Sequence, residues 1–435
     1  MINKHKETLK KIVPWIAMIL IMYVMTLLKL PIIMTNLLFV FMTAFLMYRL
    51  WAEASDSKAE VLILMCGLGV RILVCLLDIY GSGFMTVPFS GDDSRHFFDT
   101  SVAYYHGDMS RLYTNYPYII LAIYKIAGLN RFAAQYVNIL CWCFCGLLMQ
   151  KSCGVLKVEK NLRLVAVGLL SVLPFHICIS SILMRDMIVT LSIMLTTYLI
   201  LRWMKSGNYI NLFLGMIATA PVMLVHNCVL AMIAVMGLMA AFYSPKKCKF
   251  CIEKKCIIIC GIAVLCVLLI VLIPPLGEKI FTQIPIFDGG IIDIINERLA
   301  YFYENSGGST YLLNQYVSGY GDLIIGTFQR IGYFLFSPVP WMWRGLGDVV
   351  VFLISSCVYL TALVICGISF FFKKKDAFRF LFASVIFFVC AIFAWGVSNG
   401  GTAMRHREKL LGVAILLAVY SVQLIINKRK ERKMN

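Results

Sequence analysis

The sequence is dominated by apolar runs of about 20 residues, separated mostly by short polar turns that collect lysine and arginine. A helix of that length crosses the ~30 Å hydrocarbon layer of a bilayer. Apolar residues make up 61% of the 435 residues and charged residues 14%, whereas a soluble domain has about 25% charged residues. Too few polar side chains remain to cover a water-facing surface. We therefore predict an all-α, polytopic transmembrane helical bundle.

The apolar runs predict about twelve spans. They lie at about 12–28, 32–50, 61–80, 131–150, 163–181, 187–203, 210–225, 227–243, 256–273, 348–372, 377–397 and 409–427. The segment 323–343 is apolar but contains Arg330, Pro338 and Pro340. It is either a further membrane element or a helix lying at the interface.

The distribution of basic residues predicts the orientation, because cytoplasmic loops are enriched in lysine and arginine. With the N-terminus inside, 26 of the 40 basic residues lie in cytoplasmic segments, 13 lie outside and Arg71 lies within a span. We therefore expect a multi-pass protein of the plasma membrane with both termini in the cytoplasm. The net charge of +18 does not indicate a nucleic-acid partner, because no soluble basic domain presents it.

The predicted topology makes residues 1–435 a single integral membrane domain with two large external loops, 81–130 and 274–347, and C-terminal spans in 348–435. Loops of this length are too long to be simple connections, and we expect them to carry interfacial helices. The predicted cytoplasmic loops are short and contain no nucleotide-binding motif. Chemistry is therefore expected at the external face.

The first candidate site follows the third span, where Asp92 and Asp93 are adjacent, with His96 and Asp99 as supporting residues. A carboxylate at a membrane surface could act as a general base, or the pair could hold a divalent cation. Either aspartate would also suit the N-terminus of a helix, which is the structural alternative. Adjacent residues point in different directions from a helix, so we expect one carboxylate to enter a given site.

The second candidate is Arg185 beside Asp186, between the fifth and sixth spans on the same predicted side. An arginine can bind a phosphate while the neighbouring aspartate orients it. The alternative is an interfacial pair whose charged ends reach the headgroups.

The third candidate is Arg405, His406 and Arg407, a basic cluster on the predicted external side, where basic residues are less common. Such a cluster favours an anionic partner such as a lipid-linked phosphate, and contact with lipid headgroups is the alternative. Gly400 and Gly401 precede the cluster, and we expect their backbone N–H groups to approach the anion.

Two weaker features remain. Arg71 and Asp78 share a face of one predicted span, as either a functional pair or an internal structural pair. Cys248 and Cys251 form a C-x-x-C between lysines, followed by Cys256 and Cys260. This spacing is compatible with a zinc site, although reduced thiols on a cytoplasmic loop are the simpler interpretation.

The order of these motifs resembles the N-terminal half of bacterial GT-C glycosyltransferases, the multi-spanning enzymes related to protein mannosyltransferases and lipid A aminoarabinose transferases. The resemblance covers about residues 60–230. It runs from the acidic pair through Tyr116-Pro117-Tyr118 and Gly128 to Arg185-Asp186. The segment Arg405-His406-Arg407 looks more like the C-terminal part of polysaccharide repeat-unit polymerases. The chain departs from the GT-C pattern in having Asp where Glu is frequent as the second acidic residue, and in lacking a soluble C-terminal domain.

The resemblance implies a polyprenyl-phosphate-linked sugar donor, a glycan or lipid acceptor, and a role in cell-surface polysaccharide assembly. It implies that Asp92 or Asp93 acts as the base or as a metal ligand, while Arg185 and the Arg405–Arg407 cluster bind the donor phosphate. A repeat-unit polymerase without a carboxylate base is one alternative. A flippase for lipid-linked saccharides is another, although a carrier would place its polar groups at mid-membrane. An assembly scaffold would tolerate loss of every named side chain.

The asymmetry of basic residues generates the first prediction. Cysteine labelling in intact cells should place residues 246–255 and 428–435 inside, and residues 90–115 and 290–310 outside. Labelling of 90–115 only after permeabilisation would contradict both the topology and an external active site.

Overall fold

The computed structural model describes residues 2–110, 114–253, 256, 258, 259, 290–304, 307, 309–313 and 315–434. These residues are almost entirely helical. The described part of the chain contains a single sheet, the antiparallel pair β1 and β2, in which Tyr243 is opposite Phe250 and Ser244 is opposite Lys249. The chain divides into two compact units. Unit 1 comprises Met1–Gly154 and Glu159–Leu191, and unit 2 comprises Val155–Val158 and Ser192–Asn435.

Unit 1 contains the first eight helices and the start of the ninth. They are α1 (Ile2–Leu27), α2 (Ile32–Ala54), α3 (Lys58–Tyr80), α4 (Asp92–Tyr105), α5 (Tyr116–Ala127), α6 (Arg131–Leu156), α7 (Lys160–Val172), α8 (Pro174–Ser181) and α9 (Asp186–Ser206). The last two residues of α6 and most of α9 belong to unit 2.

The described elements of unit 2 follow α9. They are α10 (Ile210–Met223), a 3-10 turn (Asn227–Val229), α11 (Leu230–Phe242), β1 (Tyr243–Ser244), β2 (Lys249–Phe250), α12 (Gly290–Glu304), α13 (Tyr320–Phe336), a 3-10 turn (Pro340–Met342), α14 (Leu346–Phe372), α15 (Ala377–Gly396), α16 (Gly400–Arg407), a 3-10 turn (Glu408–Leu410) and α17 (Leu411–Met434). A π-helical turn, Phe352–Ser356, lies within α14.

Each predicted span except 256–273, most of which lies outside the described residues, coincides with a helix or a bent helix pair. Within the described chain, seven helices are long and apolar enough to cross a membrane, or eight if the bent pair α7–α8 is one span. Four shorter apolar helices are Lys11–Leu27, Tyr116–Ala127, Ile210–Met223 and Asn227–Phe242. The helices therefore fit a multi-pass membrane protein, and the number twelve stays a prediction.

The surfaces of the candidate spans suit a lipid environment. In α2, only 22% of the most apolar window is buried within the protein, and Ile33, Phe41 and Phe45 are exposed on its surface. The corresponding share for α6 is 83%. Exposed apolar side chains on a long helix are expected where lipid tails replace water. In unit 1, α6 therefore forms the interior and α2 lies at the periphery.

Several helix ends follow directly from local sequence. Gly128 and Gly207 each adopt a φ of 70°, directly after α5 and α9, which glycine tolerates without a steric penalty. Asp376 precedes α15, and its carboxylate accepts hydrogen bonds from the backbone N–H groups of Phe378 and Arg379.

The break between α7 and α8 is a 56° bend that Pro174 requires. Proline has no N–H to donate to the carbonyl group four residues before it, here that of Leu170. Arg71 of α3 and Trp142 of α6 supply donors here: Arg71 Nη2 and Trp142 Nε1 each donate to Leu170 O at 3.2 Å, and Arg71 Nη1 donates to Ser171 O at 3.0 Å. The guanidinium group also lies 3.6 Å from the Trp142 ring centroid. Arg71 is fully buried, and its hydrogen bonds stabilise the bend between α7 and α8.

Arg71 and Asp78 do not pair with each other in the structure. Asp78 accepts hydrogen bonds from Arg131 Nη2 at 3.0 Å and from Gln135 Nε2 at 2.6 Å, whereas Nε of Arg71 donates to Ser180 Oγ at 2.8 Å. The alternative in which Arg71 and Asp78 form an internal pair is therefore wrong, because each side chain binds other residues. Each residue has a separate structural role.

A second buried arginine has the same role in unit 2. Arg379 of α15 donates from Nη2 to the carbonyl oxygens of Lys373 and Lys374, which directly follow α14, at 2.6 and 2.9 Å. Its Nη1 donates to Ser369 Oγ at 2.9 Å. The last carbonyl groups of a helix have no partner within the helix, so Arg379 provides hydrogen bonds where α14 ends.

We expect Arg71→Met to lower the free energy of unfolding by about 2 kcal/mol or more, because Ser171 O and Ser180 Oγ lose a buried guanidinium donor and Leu170 O keeps only that of Trp142. Thermal unfolding of the purified protein in detergent would measure this. Arg49→Met removes an exposed arginine of α2 and serves as the matched control, with an expected change within about 0.5 kcal/mol.

A double-mutant cycle isolates the mechanism. Pro174→Ala restores an N–H group opposite Leu170 O, so it should be less destabilising in the Arg71→Met protein than in the wild type. Additive effects of the two substitutions would show that Arg71 does not act through the helix break.

Candidate functional site

The acidic pair forms the first turn of α4, which begins at Asp92. The N-cap residue is Gly91, so neither carboxylate occupies the capping position. Both nevertheless lie where the helix dipole favours negative charge. Asp92 is exposed and Asp93 is half-buried, which agrees with the expectation that the two side chains point in different directions.

The two aspartates belong to different faces of α4. His96 and Asp99, four and seven residues after Asp92, are exposed like it and share its face. Phe97, four residues after Asp93, is 1% exposed and packs edge-on against Tyr116 of α5, with ring centroids 5.0 Å apart. Asp93 therefore lies on the face that packs into unit 1, and the predicted supporting residues accompany Asp92.

Arg185 reaches this packed face of α4. It precedes α9, is half-buried, and its guanidinium carbon lies 5.9 Å from the centroid of the Phe97 ring. One helical turn separates Phe97 from Asp93. Unit 1 thus brings the first two sequence motifs together, with Arg185 beside Phe97 of the helix that begins with the acidic pair.

Asp186 is the first residue of α9 and is 1% exposed. Its carboxylate interacts electrostatically with the hydroxyl group of Tyr116. Asp186 is therefore part of the interior beneath Phe97, whereas Arg185 lies nearer the surface. The two adjacent residues have different surroundings, as adjacent residues at a helix start do.

Asn138 of α6 positions the backbone that leads to Arg185. Its fully buried side-chain amide donates from Nδ2 to the carbonyl oxygens of Ile182 and Met184, both at 2.7 Å. Two hydrogen bonds from one amide hold the connection between α8 and α9. The sequence motifs did not include Asn138. A polar amide within an otherwise apolar run was the feature of the sequence that could have indicated its role.

The third motif forms α16 in unit 2. Asn399 caps the helix by accepting from the N–H groups of Gly401 and Thr402. The N–H group of Gly400 donates to Ser309 O at 2.9 Å. The expectation that the two glycines offer free backbone donors to an anion is therefore wrong, because those donors already bind protein acceptors.

Arg407 is fully buried and binds the end of α13. Its Nη1 donates to Leu335 O at 2.9 Å and Ser337 O at 2.7 Å, and its Nε donates to Ser355 Oγ at 2.9 Å. Within the described residues, its buried Nη2 has no hydrogen-bond acceptor. Arg407 therefore combines a structural role with two N–H donors that the described protein groups do not use.

His406 packs on Phe393 with ring centroids 4.6 Å apart and nearly parallel planes, and His226 lies 5.6 Å away. Lys409, which is fully buried, hydrogen-bonds to His406 Nδ1. Arg405 is half-buried, which makes it the least enclosed member of the cluster.

The described residues contain no group of three or more His, Cys, Asp or Glu side chains that could hold a metal ion. Asp92 and Asp93 thus supply two carboxylates on different faces of α4. Cys251 hydrogen-bonds to Glu253, and Cys248 to Pro245 O. Cys260, the last cysteine of the predicted zinc motif, lies outside the described residues.

Comparison with protein-family models, with curated proteins and with solved structures finds no match. The resemblance to glycosyltransferases therefore rests on the order of the motifs. The geometry within each unit is the remaining basis for a function.

We expect Asn138→Leu to destabilise unit 1 by about 2 kcal/mol, since Met184 O loses a buried donor and Ile182 O keeps only the N–H group of Met184. Asn138→Asp keeps the size of the side chain but removes the Nδ2 donor, and should be at least as harmful. Thermal unfolding measures both. Asn161→Leu, at an exposed position of α7 in the same unit, is the control, and equal effects at 138 and 161 would contradict the positioning role.

Proposed function

We propose that the chain is a membrane glycosyltransferase that uses a polyprenyl-phosphate-linked sugar or oligosaccharide at the external membrane face. The observation that supports it is the approach of Arg185 to Phe97, one turn from Asp93. Glycosyl transfer from a phosphate requires a base for the acceptor hydroxyl and a cation for the leaving phosphate. Asp93 of α4 is proposed as the base, and Arg185, which lies beside Phe97 one turn further along α4, as the cation.

In the proposed reaction, Asp93 accepts the proton of the acceptor hydroxyl as its oxygen attacks the anomeric carbon of the donor. The bond between that carbon and the phosphate oxygen breaks, and its electron pair leaves with the phosphate. Within unit 1, Arg185 is proposed to bind this anion. No step is assigned to a divalent cation, whose involvement a chelator would test directly.

A repeat-unit polymerase is the second candidate, and the basic cluster of unit 2 favours it. His226 and Lys409 lie next to the His406 member of that cluster. Such a site could bind the leaving group without help from a carboxylate on α4. Retained activity after loss of both aspartates would favour the polymerase.

A flippase is the competing class, and it would need charged groups at mid-membrane. Arg71 and Asp78, which lie within a predicted span, are the charged residues that would favour a flippase. Their hydrogen bonds to carbonyl groups, Arg131 and Gln135 account for both residues as structural elements. A flippase would translocate a lipid-linked saccharide without forming a new glycosidic bond, which separates the two functions experimentally.

We expect Asp93→Asn to lower the rate of glycosyl transfer by ~10²–10⁴-fold, because it removes the base while keeping the shape of the side chain. Asp92→Asn, on the exposed face of the same turn, is the matched control and should have a much smaller effect. Product formation from a lipid-linked donor, with matched membrane levels of each variant, is the measurement.

Full activity of both variants would contradict the carboxylate mechanism. Arg185→Ala should instead raise the donor KM, and Arg185→Lys should restore little if binding requires the bidentate guanidinium fork. If the wild-type protein forms no product from any lipid-linked donor, the transferase function itself is wrong.

A further inference from the structure

A partly open cavity of about 250 Å³ lies between α1 and α2 of unit 1. The residues that line it recur every three or four positions on each helix, which places them on the two facing sides. Among them are Lys11 and Trp15 of α1 and Leu46, Arg49, Leu50 and Glu53 of α2. At ~30 Å³ for each molecule of liquid water, the space equals about eight waters. It therefore suits a small polar headgroup rather than a large ligand.

The cavity lies where two predicted spans end, on the side that the basic residues predict to be cytoplasmic. Lys11 directly precedes the apolar run of α1, and Arg49 and Glu53 lie at the end of the apolar run of α2. The headgroups of a bilayer lie at this level, just outside the hydrocarbon layer. A membrane lipid is therefore the ligand that this cavity meets at the highest concentration.

The charged side chains of the cavity carry an excess of positive charge. Lys11 and Glu53 form an ion pair, so the charge of Arg49 is left over. Arg49 is exposed, and it has no hydrogen bond or ion pair with any residue in the part of the chain that the structure describes. Its guanidinium carbon lies 6.0 Å from the centroid of the Phe45 ring. The excess of one positive charge matches the single negative charge of a phosphodiester.

Trp15 adds an N–H donor to the cavity. Its half-buried ring packs on Phe144 of α6, with centroids 5.5 Å apart. The indole Nε1 can only donate, and it has no acceptor among the residues 2–110 and 114–253 or the later described segments. Tryptophans at a membrane surface direct this N–H group to the headgroup region. The oxygens of one phosphodiester can accept from both Trp15 and Arg49.

The surface beside the cavity suits acyl chains. Phe41, Phe45 and Arg49 are spaced four residues apart and lie along one stripe of α2. Phe41 is 69% exposed and Phe45 is 60% exposed. This phenylalanine stripe leads from the cavity toward the middle of the predicted span. A lipid with its headgroup in the cavity can bury an acyl chain along the stripe, which a soluble phosphate compound cannot do.

We propose that this cavity binds one anionic glycerophospholipid, with its phosphodiester on Arg49 and Trp15 and an acyl chain along the phenylalanine stripe. Glu53 opposes the binding, because it holds the ammonium group of Lys11 that would otherwise contact the phosphate. The bound lipid contacts both α1 and α2 and stabilises their packing. This site is independent of the proposed glycosyl transfer.

Native mass spectrometry of the purified full-length protein in detergent counts bound lipids and gives the affinity for the first one. We expect dioleoylphosphatidylglycerol to bind at least about fivefold more tightly than dioleoylphosphatidylcholine, because choline brings a further positive charge to a positive cavity. Glycerol 3-phosphate at the same concentration should displace neither lipid, since it has no acyl chain. Equal affinity for the two lipids, or displacement by glycerol 3-phosphate, would overturn the proposal.

Arg49→Gln should weaken the binding of the first phosphatidylglycerol about fivefold, the factor that one basic residue contributes near an anionic lipid. Lys160→Gln is the matched control, because Lys160 is exposed at the start of α7 in the same unit, lies on the same predicted side and does not line the cavity. Its affinity should stay within about 1.5-fold of the wild type, since screening limits its effect. Equal losses in the two variants would reject a site at the cavity.

Glu53→Gln tests the opposite sign. Releasing Lys11 should strengthen the binding of phosphatidylglycerol by between about 1.5-fold and fivefold, the range that an exposed ion pair contributes. Asp56→Asn removes the same charge at an exposed position three residues further on, outside the cavity, and should leave the affinity unchanged. Weaker binding by Glu53→Gln, or an equal gain in Asp56→Asn, would contradict the assigned role of Lys11.

Thermal unfolding separates binding from a structural role of Arg49. A ligand that binds the folded protein raises its unfolding temperature, so phosphatidylglycerol should raise that of the wild type. Arg49→Gln should unfold at the wild-type temperature in detergent without added phospholipid and should lose most of the lipid-dependent rise. Absence of the rise in the wild type, or an equal rise in both proteins, would overturn the site.

Discussion

The structure depends on satisfying backbone carbonyl groups where helices end inside an apolar protein. Arg71, Arg379 and Arg407 each extend from one helix to the terminal carbonyl groups of another. Two of these ends precede a proline, Pro174 or Pro338, which cannot donate to the carbonyl group four residues earlier. An arginine offers five N–H donors in a fixed fork, so one buried side chain can replace several missing backbone bonds. The broken helix α7–α8 and the end of α13 can therefore lie in the interior.

The same constraint shapes the candidate sites. Arg407 uses Nε and Nη1 to hold the end of α13, which fixes the direction of its remaining Nη2 donors. Asn138 holds the connection before Arg185 by the same chemistry, with an amide in place of a guanidinium group. A side chain that is rigid for structural reasons needs no further ordering when it binds a ligand. Residues with a structural role therefore also belong to the candidate sites, and the effects of substituting them must be compared with those of a buried structural arginine such as Arg379.

The helices could largely be predicted from sequence, because a run of apolar residues long enough to cross a bilayer is a local signal. The pairing of charges could not. Arg71 and Asp78 share a helix face, yet apart from Gly67 O, which Arg71 also binds, their partners lie 53 or more positions away along the chain. The glycines before Arg405 looked available for anion binding, but their N–H groups donate to Ser309 and Asn399. Asp92 and Asp93 were equivalent candidates in the sequence, and only the packing of Phe97 distinguishes their faces.

By itself, the sequence determined the helical class, the positions of most helices and the residue types at the candidate sites. These follow from composition and from patterns within about 20 neighbouring residues. The tertiary structure alone decided that Arg185 lies beside Phe97, that Arg330 and Arg407 both act on Tyr311, and which arginines donate to carbonyl groups at helix ends. The physical reason is that a buried charge or N–H group is defined by the acceptors around it. Those acceptors are mostly backbone oxygens of distant segments, which have no residue-type signature in the sequence.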